Sequence, residues 1–229
     1  MAEDATRRAP GRGRFITFEG GEGAGKSTQI KKLAEHLEAA RLRVVLTREP
    51  GGSPGAEIIR HLVLSGVGKL LGPDAETLLF AAARDDHVRA VILPALTQGA
   101  WVLCDRFYDS TWAYQVKLGH VAPAVLNAMQ RVTIGDLKPD LTIILDLPVE
   151  VGLKRAASRR GSEAPDRFES EDLKFHQELR EAYREIAASE PERCVLIDAD
   201  ADVNTVAARV WGAVGGRFFV NPANVAAPA

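Results

Sequence analysis

Residues Gly20-Gly21-Glu22-Gly23-Ala24-Gly25-Lys26-Ser27 fill every fixed position of the pattern G-x-x-x-x-G-K-[ST], and Thr28 follows them. The run before, Arg14 to Glu19 (R-F-I-T-F-E), reads as a strand, and the run after, Thr28 to Arg41, as a helix. Strand, glycine loop and helix in this order imply an α/β architecture in which the loop curls its backbone N–H groups around a phosphate. The helix N-terminus adds partial positive charge at the same point. In such a loop Lys26 reaches the β/γ-phosphates and the Ser27 hydroxyl ligates Mg²⁺. A glycine-rich turn without a ligand is the plain alternative, and the strand before and helix after argue against it.

Strands and helices alternate through the rest of the chain. Residues 15–19, 43–47, 101–105, 141–146 and 194–198 are apolar runs, as expected for strands covered on both faces. Between them, Ile30, Leu33, Ala34, Leu37 and Ala40 recur at helical spacing. Asp74 is placed to cap a long helix to about Thr97, with Leu78, Leu79, Ala82 and Ala83 on one face. Pro148 is placed to open a helix after the fourth strand, and Asp202 to cap the last one. The βα alternation predicts a doubly wound, parallel five-stranded sheet with helices on both faces, a three-layer P-loop NTPase-like fold. With 229 residues, one such domain is expected over 14–216, between tails at 1–13 and 217–229.

Formal net charge is −2, which implies no strong overall attraction to nucleic acid or to an anionic membrane. Arg7, Arg8, Arg12 and Arg14 make the N-terminus locally basic, which reads as a solvated tail, with a nucleic-acid arm as the sharper alternative. No apolar segment approaches a membrane span, and the N-terminus lacks the apolar stretch of a secretory signal. The two cysteines, Cys104 and Cys194, sit in or beside apolar runs and are expected as buried free thiols in a reducing cytoplasm.

Ligands in such sheets bind beyond the carboxyl ends of the strands. After the second strand, Arg48 offers a planar fork for phosphate within Thr47-Arg48-Glu49-Pro50-Gly51-Gly52, and Glu49 could hold a Mg²⁺-bound water. An Arg–Glu pair on a surface turn is the plain alternative. After the third strand, Asp105 is placed for Mg²⁺ beside Ser27, and Arg106 for an anionic second substrate. Asp146 could compete for the metal, but the helix expected at Pro148 favours a capping or structural role. Arg155, Arg159, Arg160 and Arg167 flank a breaker run, Ser162-Glu163-Ala164-Pro165, and together suggest a lid over about 155–170. Phe80 and Arg84 lie one helical turn apart; taken alone they fit a core Phe and a surface Arg as well as a base-reading pair. The guanine-reading N-K-x-D of a regulatory GTPase-like switch does not occur.

In combination, F-E-G-G-E-G-A-G-K-S-T, T-R-E-P-G-G, L-L-F-A-A-A-R, D-R-F-Y-D-S-T-W-A-Y-Q and D-R-F-E resemble the thymidylate kinase family, from Phe15 to about Val214. The resemblance implies ATP-dependent phosphorylation of dTMP, with another nucleoside monophosphate or nucleoside kinase as the alternative. It implies that Gly20, Gly21, Glu22, Gly23, Ala24, Gly25, Lys26, Ser27 and Thr28 hold ATP. Glu22 matches the acidic residue facing the sugar 3′-hydroxyl, and Arg106 the arginine on the acceptor phosphate. Phe80 matches the stacking aromatic, Arg84 the arginine reading the thymine edge, and Thr111, Tyr114 and Gln115 the pocket lining. Arg48 and Glu49 match the loop beside the acceptor phosphate and Mg²⁺. Because the P-loop carries no arginine, the chain is similar to the bacterial type that supplies arginine from the lid. Arg160, with Arg159 beside it, is the expected catalytic lid residue, together with Lys26 and Arg106. Phe107 stands where relatives carry His or Tyr and is given no chemical role. The family also implies a homodimer, for which the third helix and the helix near 122–132 are available faces.

Overall fold

The structure, a computed structural model, describes residues 13–161 and 167–219. Arg7, Arg8 and Arg12, the breaker run with Asp166, and residues 220–229 lie outside the described residues. Five strands, β1 (Phe15–Glu19), β2 (Val44–Arg48), β3 (Trp101–Asp105), β4 (Leu141–Asp146) and β5 (Cys194–Asp198), form one parallel sheet in the order β2-β3-β1-β4-β5. The helices are α1 (Lys26–Ala39), α2 (Pro54–Leu64), α3 (Pro73–His87), α4 (Leu93–Thr97), α5 (Tyr108–Thr111), α6 (Pro123–Thr133), α7 (Val149–Arg160), α8 (Leu173–Ser189) and α9 (Val203–Phe218).

Strand periodicity divides the core between the sheet's faces. Ile16, Phe18, Leu103, Ile143 and Leu145 pack with α1 and α9 on one face. Phe15, Val102 and Cys104 point to the other, against α4 and Phe107. On that second face Ile144 meets Leu179, Ala182 and Tyr183 of α8. Each such fully buried large apolar side chain is worth about 1.5–3 kcal/mol. β1, at the centre, is wholly buried, whereas the edge strands β2 and β5 leave Leu46 and Leu196 exposed. The expectation of two covered faces therefore fails at the edges, because strand order is set by crossovers that local composition does not mark.

The single long helix expected from Asp74 to Thr97 is interrupted. Its N-cap is Gly72, two residues earlier than Asp74, with Pro73 in its first turn; Asp74 lies inside and caps nothing. A π turn, Val88–Ile92, separates α3 from α4, and the Leu93 N–H bonds back to the Val88 carbonyl. Pro94 explains the interruption: its ring would clash with the carbonyl four residues back, and it has no N–H to donate. The apolar face expected on α3 holds only in part: Ala83 is buried and Leu79 half-buried. Leu78 and Ala82 are exposed, while Glu76, Thr77, Arg84 and His87 are buried, because this side of α3 faces a polar cleft.

At the other helix starts, Pro148 is the N-cap of α7, and the Asp202 carboxylate accepts from the Asn204 and Thr205 N–H groups. Asp146 does not cap; Arg180 grips it through two bonds of 2.7 and 2.9 Å, and Arg184 adds a third at 3.2 Å. The folded part extends past 216: α9 runs to Phe218, which meets Trp101 edge-on, and Phe219 stacks on the same ring.

Candidate active site

The C-terminal end of β1 runs directly into the glycine loop. Gly20 has φ 130°, and a Cβ there would lie 2.5 Å from the Leu145 carbonyl oxygen. Gly23 has φ 66°, and its Cβ would lie 2.0 Å from the Gly152 oxygen, so the loop packs directly on α7. Gly25, left-handed at φ 94°, begins α1 without any side-chain cap. The N–H groups of that first turn are thus the ones an anion would satisfy. The Lys26 ammonium lies across the loop, donating to the Gly20 and Gly21 carbonyls at 3.1 and 3.0 Å. Burial, then Arg106, lower its pKa, and Glu22, Asp105 and Glu19 oppose them. The Ser27 hydroxyl donates to Asp105 Oδ2 at 2.7 Å, joining the loop to the end of β3.

Arg106 follows Asp105 in a left-handed conformation, φ 70°, which a side-chain-bearing residue adopts at a cost of about 1–3 kcal/mol. Its N–H donates to the Phe18 carbonyl at 2.9 Å, fixing the turn to β1. Its guanidinium bonds Glu22 at 2.7 Å, the Gly20 carbonyl at 3.2 Å, Ser110 Oγ at 3.2 Å and Tyr183 OH at 2.9 Å. Burial alone would push the Glu22 carboxyl up, but Arg106, Lys26 and Arg159 together hold it below its ordinary value. Behind this pair, the buried Glu19 accepts from the Phe107 N–H and the Ser110 hydroxyl. Burial, then the neighbouring Asp109, push Glu19 up to about 7.

Opposite, α3 presents Phe80 and Arg84. Arg84 is buried, not a surface arginine: Nε bonds Glu49 at 2.7 Å and Nη2 bonds Thr111 Oγ1 at 2.9 Å, over the Phe107 ring. Glu49 also meets His87 Nδ1 at 3.0 Å, and His87 Nε2 meets Thr47 Oγ1 at 2.6 Å. Glu49 is therefore turned toward Arg84 and His87, while Ser27 and Asp105 bond each other. Arg48 pairs with Glu57 at 2.9 and 3.1 Å. Tyr114 OH lies 3.4 Å from Glu22, and its ring meets Phe168 edge-on.

These groups line one cleft of about 530 Å³. Glu22 to Thr28, Arg48, Glu49, Phe80, Arg84, Asp105, Arg106, Thr111, Tyr114, Gln115 and Arg159 all reach it, as do Lys31, Arg60, Ser110 and Phe168. Gly20 and Gly21 lie just behind, against a smaller cavity under the loop. The size suits a small-molecule site, and the charges suit a pair of anionic groups. The lid arginines separate. Arg159 lines the cleft, whereas Arg160 is held by Glu169 at 2.6 Å. Arg167 pairs with Glu76, and Arg155 reaches the Ala199 carbonyl at 3.4 Å. Sequence reasoning did not single out Ser110, Tyr183 or His87. Tyr183 shares the apolar helical spacing of Leu179, Ala182 and Ile186 and reads as core.

A thymidylate kinase family model matches residues 18–210. The chain is 74% identical over 225 residues to the thymidylate kinase of Bradyrhizobium diazoefficiens, covering 98% of this chain and 99% of that one. It is 75% identical over 217 residues to that of Nitrobacter winogradskyi, covering 95% and 94%. Among solved structures, the thymidylate kinase of Ehrlichia chaffeensis superposes with a TM-score of 0.72 at 32% identity, covering 89% of this chain and 99% of that one. The glycine loop, the Asp105-Arg106 turn and the Phe80–Arg84 pocket sit within the matched region, and the chain belongs to the thymidylate kinase family.

Proposed function

We propose that the chain transfers the γ-phosphoryl of ATP to dTMP, giving dTDP and ADP. The observation that carries this reading is the 2.7 Å bond between Glu22, inside the phosphate loop, and Arg106, beyond β3. It joins a donor half and an acceptor half in one cleft. ATP lies along Gly20 to Thr28 with Lys26 on its phosphates. The acceptor phosphate lies at Arg106 with Arg48 nearby. Thymine stacks on Phe80, and Arg84, held by Glu49 and Thr111, reads its edge, with Tyr114 and Gln115 lining the sugar and base. Glu22 faces the 3′-hydroxyl.

The acceptor is already an anion at neutral pH, so these residues position and neutralise rather than remove a proton. Lys26, Arg106 and Arg159 surround the moving phosphoryl group, and the segment at Phe168 keeps water out. The hydroxyl of Ser27 and carboxylate of Asp105, bonded to each other, fit Mg²⁺, which takes one or two protein oxygens plus substrate phosphates. When bound, Mg²⁺ neutralises charge on the β- and γ-oxygens. We assign Glu49 to Arg84 in preference to the metal.

A coupled ADP-release assay over nucleoside monophosphates tests this reading. Strong preference for dTMP is expected; turnover of AMP or CMP without dTMP would overturn it.

A homodimer is part of the proposal. Ile58 and Leu62 on α2, Leu78 on α3 and Val132 on α6 are exposed apolar residues on helices that pack together. Such a surface suits a partner. Sedimentation should give twice the chain mass for the parent and one chain mass for Leu78→Glu. An unaltered dimer in that variant would remove α3 from the interface. We place the reaction in the cytoplasm: Cys104 and Cys194 are buried free thiols, and no described helix is long and apolar enough to cross a membrane.

A further inference from the structure

We propose that Tyr183 is a positioning residue for Arg106, setting the guanidinium for the acceptor phosphate through its phenol. The proposal rests on the reading of Arg106 given above. Arg106 stands in a left-handed turn, a strained backbone that persists where the surroundings over-determine it. Nη1 is held from behind by Tyr183 OH at 2.9 Å and Ser110 Oγ at 3.2 Å. These two hydroxyls are 2.9 Å apart, and both reach Glu19 Oε2, at 3.3 Å from Tyr183 and 2.6 Å from Ser110. The two Nη1–H groups are shared among these hydroxyls and the Gly20 carbonyl at 3.2 Å, with Tyr183 the shortest partner, and each hydroxyl can donate its own O–H to the carboxylate.

The result is a buried relay, Arg106 to Tyr183 and Ser110 to Glu19, anchored on β1 by Glu19. Burial pushes the Tyr183 phenol well above its ordinary pKa, so it stays a donor. With Nη1 engaged in the relay and one Nη2–H on Glu22, Arg106 Nε–H and the other Nη2–H have no acceptor among the described residues. Those two donors are left for an anionic group such as a phosphate. Tyr183 comes from α8, the helix that follows the lid segment at Arg167–Glu169 in the chain. The phenol thus ties the acceptor arginine to an element outside the acceptor pocket.

The test is a double-mutant cycle. Tyr183→Phe removes one oxygen and should lower kcat/KM for dTMP about tenfold, the low end for a hydrogen bond to a charged group. KM for ATP should change less than about twofold, because the phosphate loop keeps its own bonds. In an Arg106→Ala background the same change should add little, since the hydroxyl acts through the arginine. Ser110→Ala, which needs no aromatic repacking, should show the same dependence on Arg106. Losses of equal size with and without Arg106, or no loss in either background, overturn the proposal. An Arg106→Ala enzyme with unchanged kcat/KM for dTMP overturns the acceptor reading itself and this inference with it.

Discussion

Arg106→Ala is expected to lower kcat/KM for dTMP about 1000-fold, about 4 kcal/mol of lost transition-state stabilisation. The size follows from three features of the site. Arg106 is the cation adjoining both Glu22 and the end of β3, and it is only 16% exposed, so water cannot replace it cheaply. Its removal also takes from Glu22, a half-buried carboxylate, the first of the cations that hold its pKa down against burial, leaving Lys26 and Arg159. The less compensated negative charge then faces an incoming phosphate. ATP binding should change far less, because Lys26 keeps its own bonds to the Gly20 and Gly21 carbonyls, and the guanidinium adds one bond to the Gly20 carbonyl at 3.2 Å. Arg106→Lys separates charge from geometry: it keeps the cation but not the planar fork, and should recover only part of the loss. Steady-state kinetics in both substrates, with a nucleotide titration, checks this. An equal loss in ATP affinity would mean that the variant has disordered the whole cleft.

How legible this site was depended on how local its signals are. The phosphate loop and the Asp105-Arg106 turn are contiguous in sequence, and strand-end logic placed both at the same edge of the sheet. Arg84 was ambiguous because its burial depends on Glu49, 35 residues away, and on Thr111, 27 residues away. Glu49 was assigned toward the metal for the same reason: nothing in T-R-E-P-G-G announces a partner on α3. Tyr183 was invisible, since its bond to Arg106 spans 77 residues and its spacing on α8 is that of an ordinary core tyrosine. The helix expected to run to Thr97 passes over Pro94, and the π turn that accommodates this proline is a tertiary solution. Long-range pairing of charges, rather than element type, is what the local sequence does not encode.

The lid supplies the second large effect, and here we propose Arg159, which lines the cleft, in place of Arg160. Both sit at the end of α7 and both meet Glu169, but on different terms. Arg160 is 23% exposed and bonds Glu169 at 2.6 Å, which commits it to holding the lid segment. Arg159 is 66% exposed, its bond is 3.3 Å, and an exposed pair of that kind is worth about 0–1 kcal/mol. It can leave Glu169 at little cost for the transferring phosphoryl group in the cleft it already lines. Arg159→Ala should therefore lower kcat about 100-fold, the scale of a single cationic or oxyanion donor. ATP affinity should move less than about threefold, because the arginine engages charge that develops on transfer rather than the ground-state triphosphate. Arg160→Ala should lose less than about tenfold, by loosening the segment at Glu169. Single-turnover rates at saturating ATP and dTMP separate the two. A larger loss for Arg160→Ala would show that Glu169 releases Arg160 when nucleotide arrives, and that Arg159 only screens the mouth of the cleft.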